Sequence, residues 1–288
     1  MASTAALLSS RSARIAFDGF RTEPVLDHPE GLDFDPVDGS LWCGGEAGQV
    51  FRIDLTRQTI ELVDHHVGGF TLGLRFGPGR RAIWLDAVAR QVRSLAVGTD
   101  RGVEVLVDRI VDDHELVYPN ALDIDTDGTV YFSDSDGDAD HGGGGIYRID
   151  PTGEASLWSA GPFHFANGVA IAPDRSALYV AESASRSVAR VGINADGSAG
   201  EITRVWTLGN RVPDGLTYGP DGALYVACYY PSVILRLEPD GSVTTVFEDP
   251  IGHTLSNPTN LVFRGTDAFI ANLGRWHIAQ LDMASVVL

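Results

Sequence analysis

Two carboxylates and two carboxamides, Glu30, Asp214, Asn120 and Asn167, are the residues of this 288-residue chain best placed to do chemistry, because they share one position of a repeating sequence unit. Taken singly, an Asn or Asp beside Pro or Gly is an ordinary turn former, since its side chain bonds the backbone two residues on. Glu30 gains nothing from such a turn. Taken together, the four would converge wherever equivalent repeat positions meet, and unpaired carboxylates brought together repel and lose solvation. A divalent cation relieves both costs, with amide oxygens filling its remaining sites. No thiolate or obvious histidine joins the set. An oxygen-only donor set suits one Ca²⁺, Mg²⁺ or Mn²⁺ ion, with Zn²⁺ also able to bind.

The elements that would position these residues follow from the repeat itself. Anchors fall at Glu30, Leu72, Asn120, Asn167, Asp214 and Thr259, at intervals of 42 to 48 residues. After each comes a short apolar strand, a turn that is Asp-Gly in the clearer copies, and a second strand carrying an aromatic. A third strand follows. Units of this size have room for about four short strands, which is a β-propeller blade. The prediction is an all-β, six-bladed β-propeller with about four antiparallel strands per blade. The last anchor leaves room for only three strands before Leu288, so the segment from Ala13 to Leu26 is expected to supply a strand that closes the ring. Residues 1–12 are expected to form a frayed leader and residues 13–288 the propeller. Helical periodicity is weak everywhere, its best stretch running from Ala5 to Ala16. In a propeller the innermost strand runs along the central channel, so the six anchors form a ring at its mouth. Trp42, Trp84, Tyr131, Tyr179, Tyr225 and Phe269 occupy equivalent second-strand positions and are read as blade core.

Composition removes several function classes. The chain carries 21 Lys plus Arg against 39 Asp plus Glu, a formal charge of −18, which repels phosphate backbones and anionic lipid. Neither nucleic acid nor membrane is expected as a partner. Cys43 and Cys228 stand far apart, outside any C-x-x-C pattern, so neither a disulfide framework nor a thiolate zinc site is expected. The N-terminus lacks a basic start followed by an apolar stretch, and a cytoplasmic location is expected. Neither a G-x-S-x-G nucleophile elbow nor an H-E-x-x-H helix is present. The run from Asp134 to Asp140 fails the EF-hand spacing and reads as a mobile acidic loop at the channel mouth, with a secondary cation site as the alternative. His28 and His164, close before Glu30 and Asn167, could line that mouth, and Tyr229 and Tyr230 could wall a pocket.

Four motifs in order carry a resemblance over roughly residues 25–275: Pro29, Glu30 and Gly31; Pro119 and Asn120 with Asp127 and Tyr131 to Ser135; Asn167 and Gly168 with Ala172 to Asp174; Pro213, Asp214 and Gly215 with Leu224 to Tyr229. The chain resembles the gluconolactonase, regucalcin (senescence marker protein) and luciferin-regenerating enzyme family. That resemblance implies a six-bladed propeller with a central divalent metal and, in many members, hydrolysis of lactones. By resemblance, Glu30, Asn167 and Asp214 match the metal ligands, Asp214 also matches the catalytic acid/base, and Asn120 matches a substrate-contacting or outer position. One departure stands out. Members acting on sugar lactones carry an Arg where this chain has Tyr118. A small-molecule substrate that is less polyhydroxylated, or bound by stacking and apolar contact, is therefore expected, with poor activity on gluconolactone and better activity on a small alkyl- or aryl-substituted lactone. Asn120, Tyr118, His164 and Asp136 are the residues expected to meet it. The leading expectation is a metal-dependent lactone hydrolase. The alternatives are a lyase, isomerase or condensing enzyme on the same site, or a metal-binding scaffold without activity.

Overall fold

Short apolar runs broken at turns fold each repeat into one four-stranded antiparallel sheet. The computed structural model describes residues 6–135 and 144–288 and contains six such sheets. Their inner strands are Leu32–Phe34, Thr71–Gly77, Pro119–Ile124, Ala166–Ile171, Val212–Tyr218 and Pro258–Arg264. Each inner strand lies against those of the two neighbouring blades, the sixth against the first, so the six surround a central axis. The sixth blade has only three consecutive strands, and Ala13–Asp18 completes it by pairing antiparallel with His277–Asp282, Ala13 opposite Leu281 and Asp18 opposite His277. Ring closure by an N-terminal strand is thus as the sequence predicts.

The repeated aromatics explain how the blades stack. Trp42, Trp84, Tyr131, Tyr225 and Phe269 are buried and Tyr179 partly so. In five blades the residue paired with the aromatic on the third strand is an arginine: Arg52, Arg93, Arg148, Arg190 and Arg236. The sixth blade has Gln280 there, and its Oε1 accepts a hydrogen bond at 3.1 Å from Arg14 of the closing strand. Apolar clusters fill the spaces between blades. Phe17, Leu32, Phe51, Phe269 and Ile278, for example, join the first blade to the last.

The segment expected to fray is held from Leu7 onward. The Leu7 and Leu8 amides donate to the carbonyls of Thr245 and Val246 on the outer strand of the fifth blade, and Leu8 is buried in the core beside it. Burial of one leucine and two backbone hydrogen bonds are what its local sequence could not announce. The weak helical stretch is a single 3-10 turn, Ser10–Ser12, leading into the closing strand.

Five inner strands share one irregularity. Between Thr71 and Leu74, Pro119 and Leu122, Ala166 and Val169, Pro213 and Leu216, and Pro258 and Leu261, three steps on the inner strand match two on its partner. Each is a β-bulge, a device that re-aims a side chain. The bulge holds the anchor residue and the one after it. That second residue is Gly in four of the six blades, because a Cβ on Gly168 or Gly215 would lie 2.2 or 2.5 Å from the carbonyl of the next blade's anchor. Tight packing of neighbouring anchors is what turns the anchor side chains toward one place.

Candidate metal centre and substrate cavity

The anchors line the floor of a cavity of about 250 Å³ at the mouth of the channel. Glu30, Asn120, Asn167 and Asp214 all border it, together with Leu72, and all are buried. The four polar anchors proposed from the repeat are therefore brought together. Thr259 is fully buried behind them.

Burial pushes the Glu30 carboxyl up to about 7, only partly offset by the Thr259 hydroxyl and Asn260 amide beside it. Asp214 is raised well above the usual carboxylate range by burial and by the Glu30 charge, against a smaller opposing effect from Asn167. No Lys, Arg or His stands among the described residues lining the cavity. Lower on the same inner strands the protein solves the same problem differently. Asp33 and Asp123 are also raised by burial, but the Arg75 guanidinium opposes the shift in both. Asp33 Oδ2 and Asp123 Oδ2 each accept a backbone N–H from the next blade, Phe76 and Ile171, at 2.8 Å. The lower pair has its cation built in, and the mouth pair has none among the described residues.

The carboxamides are oriented by one device used twice. Asn120 Nδ2 donates to Ser135 Oγ at 2.9 Å, and that hydroxyl donates to the Ala166 carbonyl at 2.7 Å. Asn167 Nδ2 donates to Ser183 Oγ at 3.1 Å, and that hydroxyl donates to the Pro213 carbonyl at 2.7 Å. A hydroxyl has one proton, and a carbonyl can only accept. The atom that each Asn offers its serine must therefore be the N–H, which settles the amide assignment and leaves each Oδ1 free for another partner. Two ionisable carboxylates and two amide oxygens without a cation form a hard donor set, and they fit a divalent ion of the Ca²⁺, Mg²⁺ or Mn²⁺ kind.

A second repeat position builds the walls. Phe70, Tyr118, Phe165 and Val212 each stand two residues before an anchor, and all four line the cavity. Tyr118 is pinned there: Asp134 accepts the Val117 and Tyr118 amides at 2.8 and 2.5 Å. Asp134 thus ends a strand and holds a loop. Ser183 and Leu273, each just after a second strand, and Tyr229, near the end of Leu224–Tyr230, complete the enclosure.

Tyr118 and Asn120 both line the cavity. His164 does not line the cavity; its neighbour Phe165, at φ 60°, does. Asp136 lies outside the described residues. His28 is turned aside, its Nδ1 2.9 Å from Asp27 and 3.1 Å from Glu46. Tyr229 walls the cavity and Tyr230 is exposed. Sequence reasoning missed Phe70, Phe165, Val212 and Leu273, although the position two before each anchor, used only at Tyr118, would have found three of them. It also missed Asn260, whose Nδ2 donates to Glu30 Oε2 at 3.0 Å. A larger groove of about 630 Å³ lies among turns that include Gly39 and Thr56. Its Arg52 and Arg57 are already paired with Asp38 and Asp54.

Residues 72–271 match the family described as SMP-30/Gluconolactonase/LRE-like region. A 6-deoxy-6-sulfogluconolactonase of Pseudomonas putida is 30% identical over 131 residues, a stretch covering 44% of this chain and 43% of that enzyme. The lactonase drp35 of Staphylococcus aureus is 24% identical over 251 residues, 84% of this chain and 76% of the relative. Among solved structures, a gluconolactonase from Xanthomonas campestris superposes with a TM-score of 0.78 at 18% identity, covering 94% of this chain and 89% of the other. A luciferin-regenerating enzyme superposes with a TM-score of 0.72 at 15% identity, covering 93% and 94%. At such identities the two structures speak for the fold alone.

Proposed function

This chain belongs to the SMP-30/gluconolactonase/LRE-like family, and from that premise we propose that it is a hydrolase that opens a lactone ring with the help of one divalent cation. Lactonase relatives support the reaction class. The observation that carries the metal is the contrast between the two carboxylate pairs: Asp33 and Asp123 share Arg75, whereas Glu30 and Asp214 share no cation among the described residues.

Glu30, Asn167 and Asp214 would hold the ion, and the freed Oδ1 of Asn120 faces the same cavity for the ion or the substrate. When bound, the cation supplies Lewis acidity toward the lactone carbonyl and the oxyanion that forms from it. Asp214 takes the proton from the attacking water and returns one to the leaving alkoxide. The product is the open hydroxy acid. Asn120, fixed through Ser135, orients the ring above the carboxylates. Phe70, Phe165 and Val212 keep bulk water from the reacting face.

Metal analysis of the purified protein, followed by pH-stat assays on a lactone panel before and after chelation, tests this reading. Activity lost in chelator and restored by Mn²⁺, Ca²⁺ or Zn²⁺ is expected, and Asp214→Asn should reduce turnover by a factor on the order of 10² to 10⁴. Lactone opening indifferent to chelator would rule out the metal, and no opening of any lactone would rule out the reaction.

A further inference from the structure

Resting on the lactonase reading, we infer that the cavity takes an uncharged lactone bearing an apolar substituent, and that Phe70, Phe165, Val212 and Tyr229 select it. The floor and the walls are chemically opposite. The carboxylates and carboxamides are confined to the anchors, whereas the described walls are aromatic or aliphatic around most of the opening. A sugar lactone presents several hydroxyls, and each buried hydroxyl needs a partner or costs stability in the complex. Among the described residues the walls offer the Tyr118 and Tyr229 hydroxyls beside Ser183. Ser183 Oγ is already engaged by Asn167 and the Pro213 carbonyl.

Charge narrows the choice further. A sulfonate, phosphate or carboxylate on the substrate would call for Arg or Lys, and the described lining has neither. A sulfonated lactone like that named for the Pseudomonas putida relative would find no cationic side chain in the described lining. Outward, the apolar character continues on the same loops, where Val117 and Tyr230 are 42% and 67% exposed. A short alkyl chain leaving the lactone ring would run along that surface.

The test uses the full chain loaded with Mn²⁺, assayed on δ-valerolactone, its 5-alkyl homologues from methyl to pentyl, and D-glucono-δ-lactone. kcat/KM should rise about threefold to fourfold for each of the first methylenes, as expected for burial of a CH₂. Gluconolactone should fall about tenfold or more below the best homologue. Phe165→Ser and Tyr229→Ser should flatten the chain-length dependence, with melting temperature as the folding control; Tyr229 is 38% exposed and the milder change. The matching 6-alkyl δ-lactams, which are not hydrolysed, should bind more tightly as the chain grows when followed by intrinsic fluorescence. A flat series, or gluconolactone turned over faster than every alkyl lactone, overturns the inference and leaves the lactonase reading standing. Lactam binding that tightens with chain length while no lactone is opened would do the reverse.

Discussion

Asn260 donates its Nδ2 to Oε2 of Glu30 at 3.0 Å, tying the last blade to the first at the floor of the cavity. It occupies the second bulge position, where the other blades carry Gly31, Gly73, Ala121, Gly168 and Gly215. The one blade with a polar side chain at this point uses it to hold a proposed metal ligand. Asn260→Ala should therefore weaken Mn²⁺ binding about tenfold to a hundredfold, the usual loss when a ligand's supporting partner is removed. Isothermal titration measures this directly. Unchanged affinity would mean that Glu30 is placed by its own backbone alone.

Proton uptake by the mouth carboxylates sets a pH dependence. Glu30 titrates near 7 in the folded protein against an ordinary 4.5, so between these values the folded state holds more protons than the unfolded chain. Stability of the metal-free protein must then fall as pH rises through that window, by on the order of 3 kcal/mol for Glu30. Asp214 adds in the same direction. Thermal melts of chelated protein should show a lower melting temperature at pH 8 than at pH 5.5, and Mn²⁺ should restore more at pH 8. A metal-free protein equally stable at both would contradict the assignment.

Loss of either serine relay should have its own signature. Ser183→Ala releases the Asn167 amide and should weaken Mn²⁺ binding, about tenfold or more. Ser135→Ala releases Asn120 and should act mainly on turnover if Asn120 serves the substrate. Paired metal titrations and kinetics on the two variants separate the roles. Equal metal loss in both would place Asn120 among the ligands.

Arg75 should be structural. Arg75→Met leaves Asp33 and Asp123 without the cation that opposes their repulsion. Because these side chains keep some contact with solvent, the cost should be about 2–3 kcal/mol, below that of a fully buried broken pair. Urea unfolding of the metal-loaded protein at pH 7.5 reads it. Mn²⁺ affinity should be nearly unchanged, and a large loss of metal binding with little loss of stability would reverse the two roles.

The repeat made the architecture legible, because each blade solves the same local problem with the same residues. Apolar runs, tight turns and one aromatic per second strand recur at every anchor, and none of them depends on distant partners. The anchors themselves were legible for the same reason: Glu30, Asn120, Asn167 and Asp214 hold one position of a period, and a closed ring of equivalent positions has to bring them to one axis. The site was thus readable as a donor set before any coordinate.

What the local pattern could not contain is anything decided between blades. Asn260 and Glu30 are 230 residues apart, and only ring closure makes them neighbours. Whether His164 or Phe165 faces the cavity is a one-residue question, settled by the positive φ at Phe165 where the chain turns into the fourth inner strand. A single step along such a segment exchanges the side that enters the pocket for the side that leaves it. Leu8 reads as part of a loose leader until the outer strand of the fifth blade offers it hydrogen bonds and a core. Periodicity carries the information for contacts within a repeat unit; contacts across the seams depend on how six units close, and that is a property of the ring.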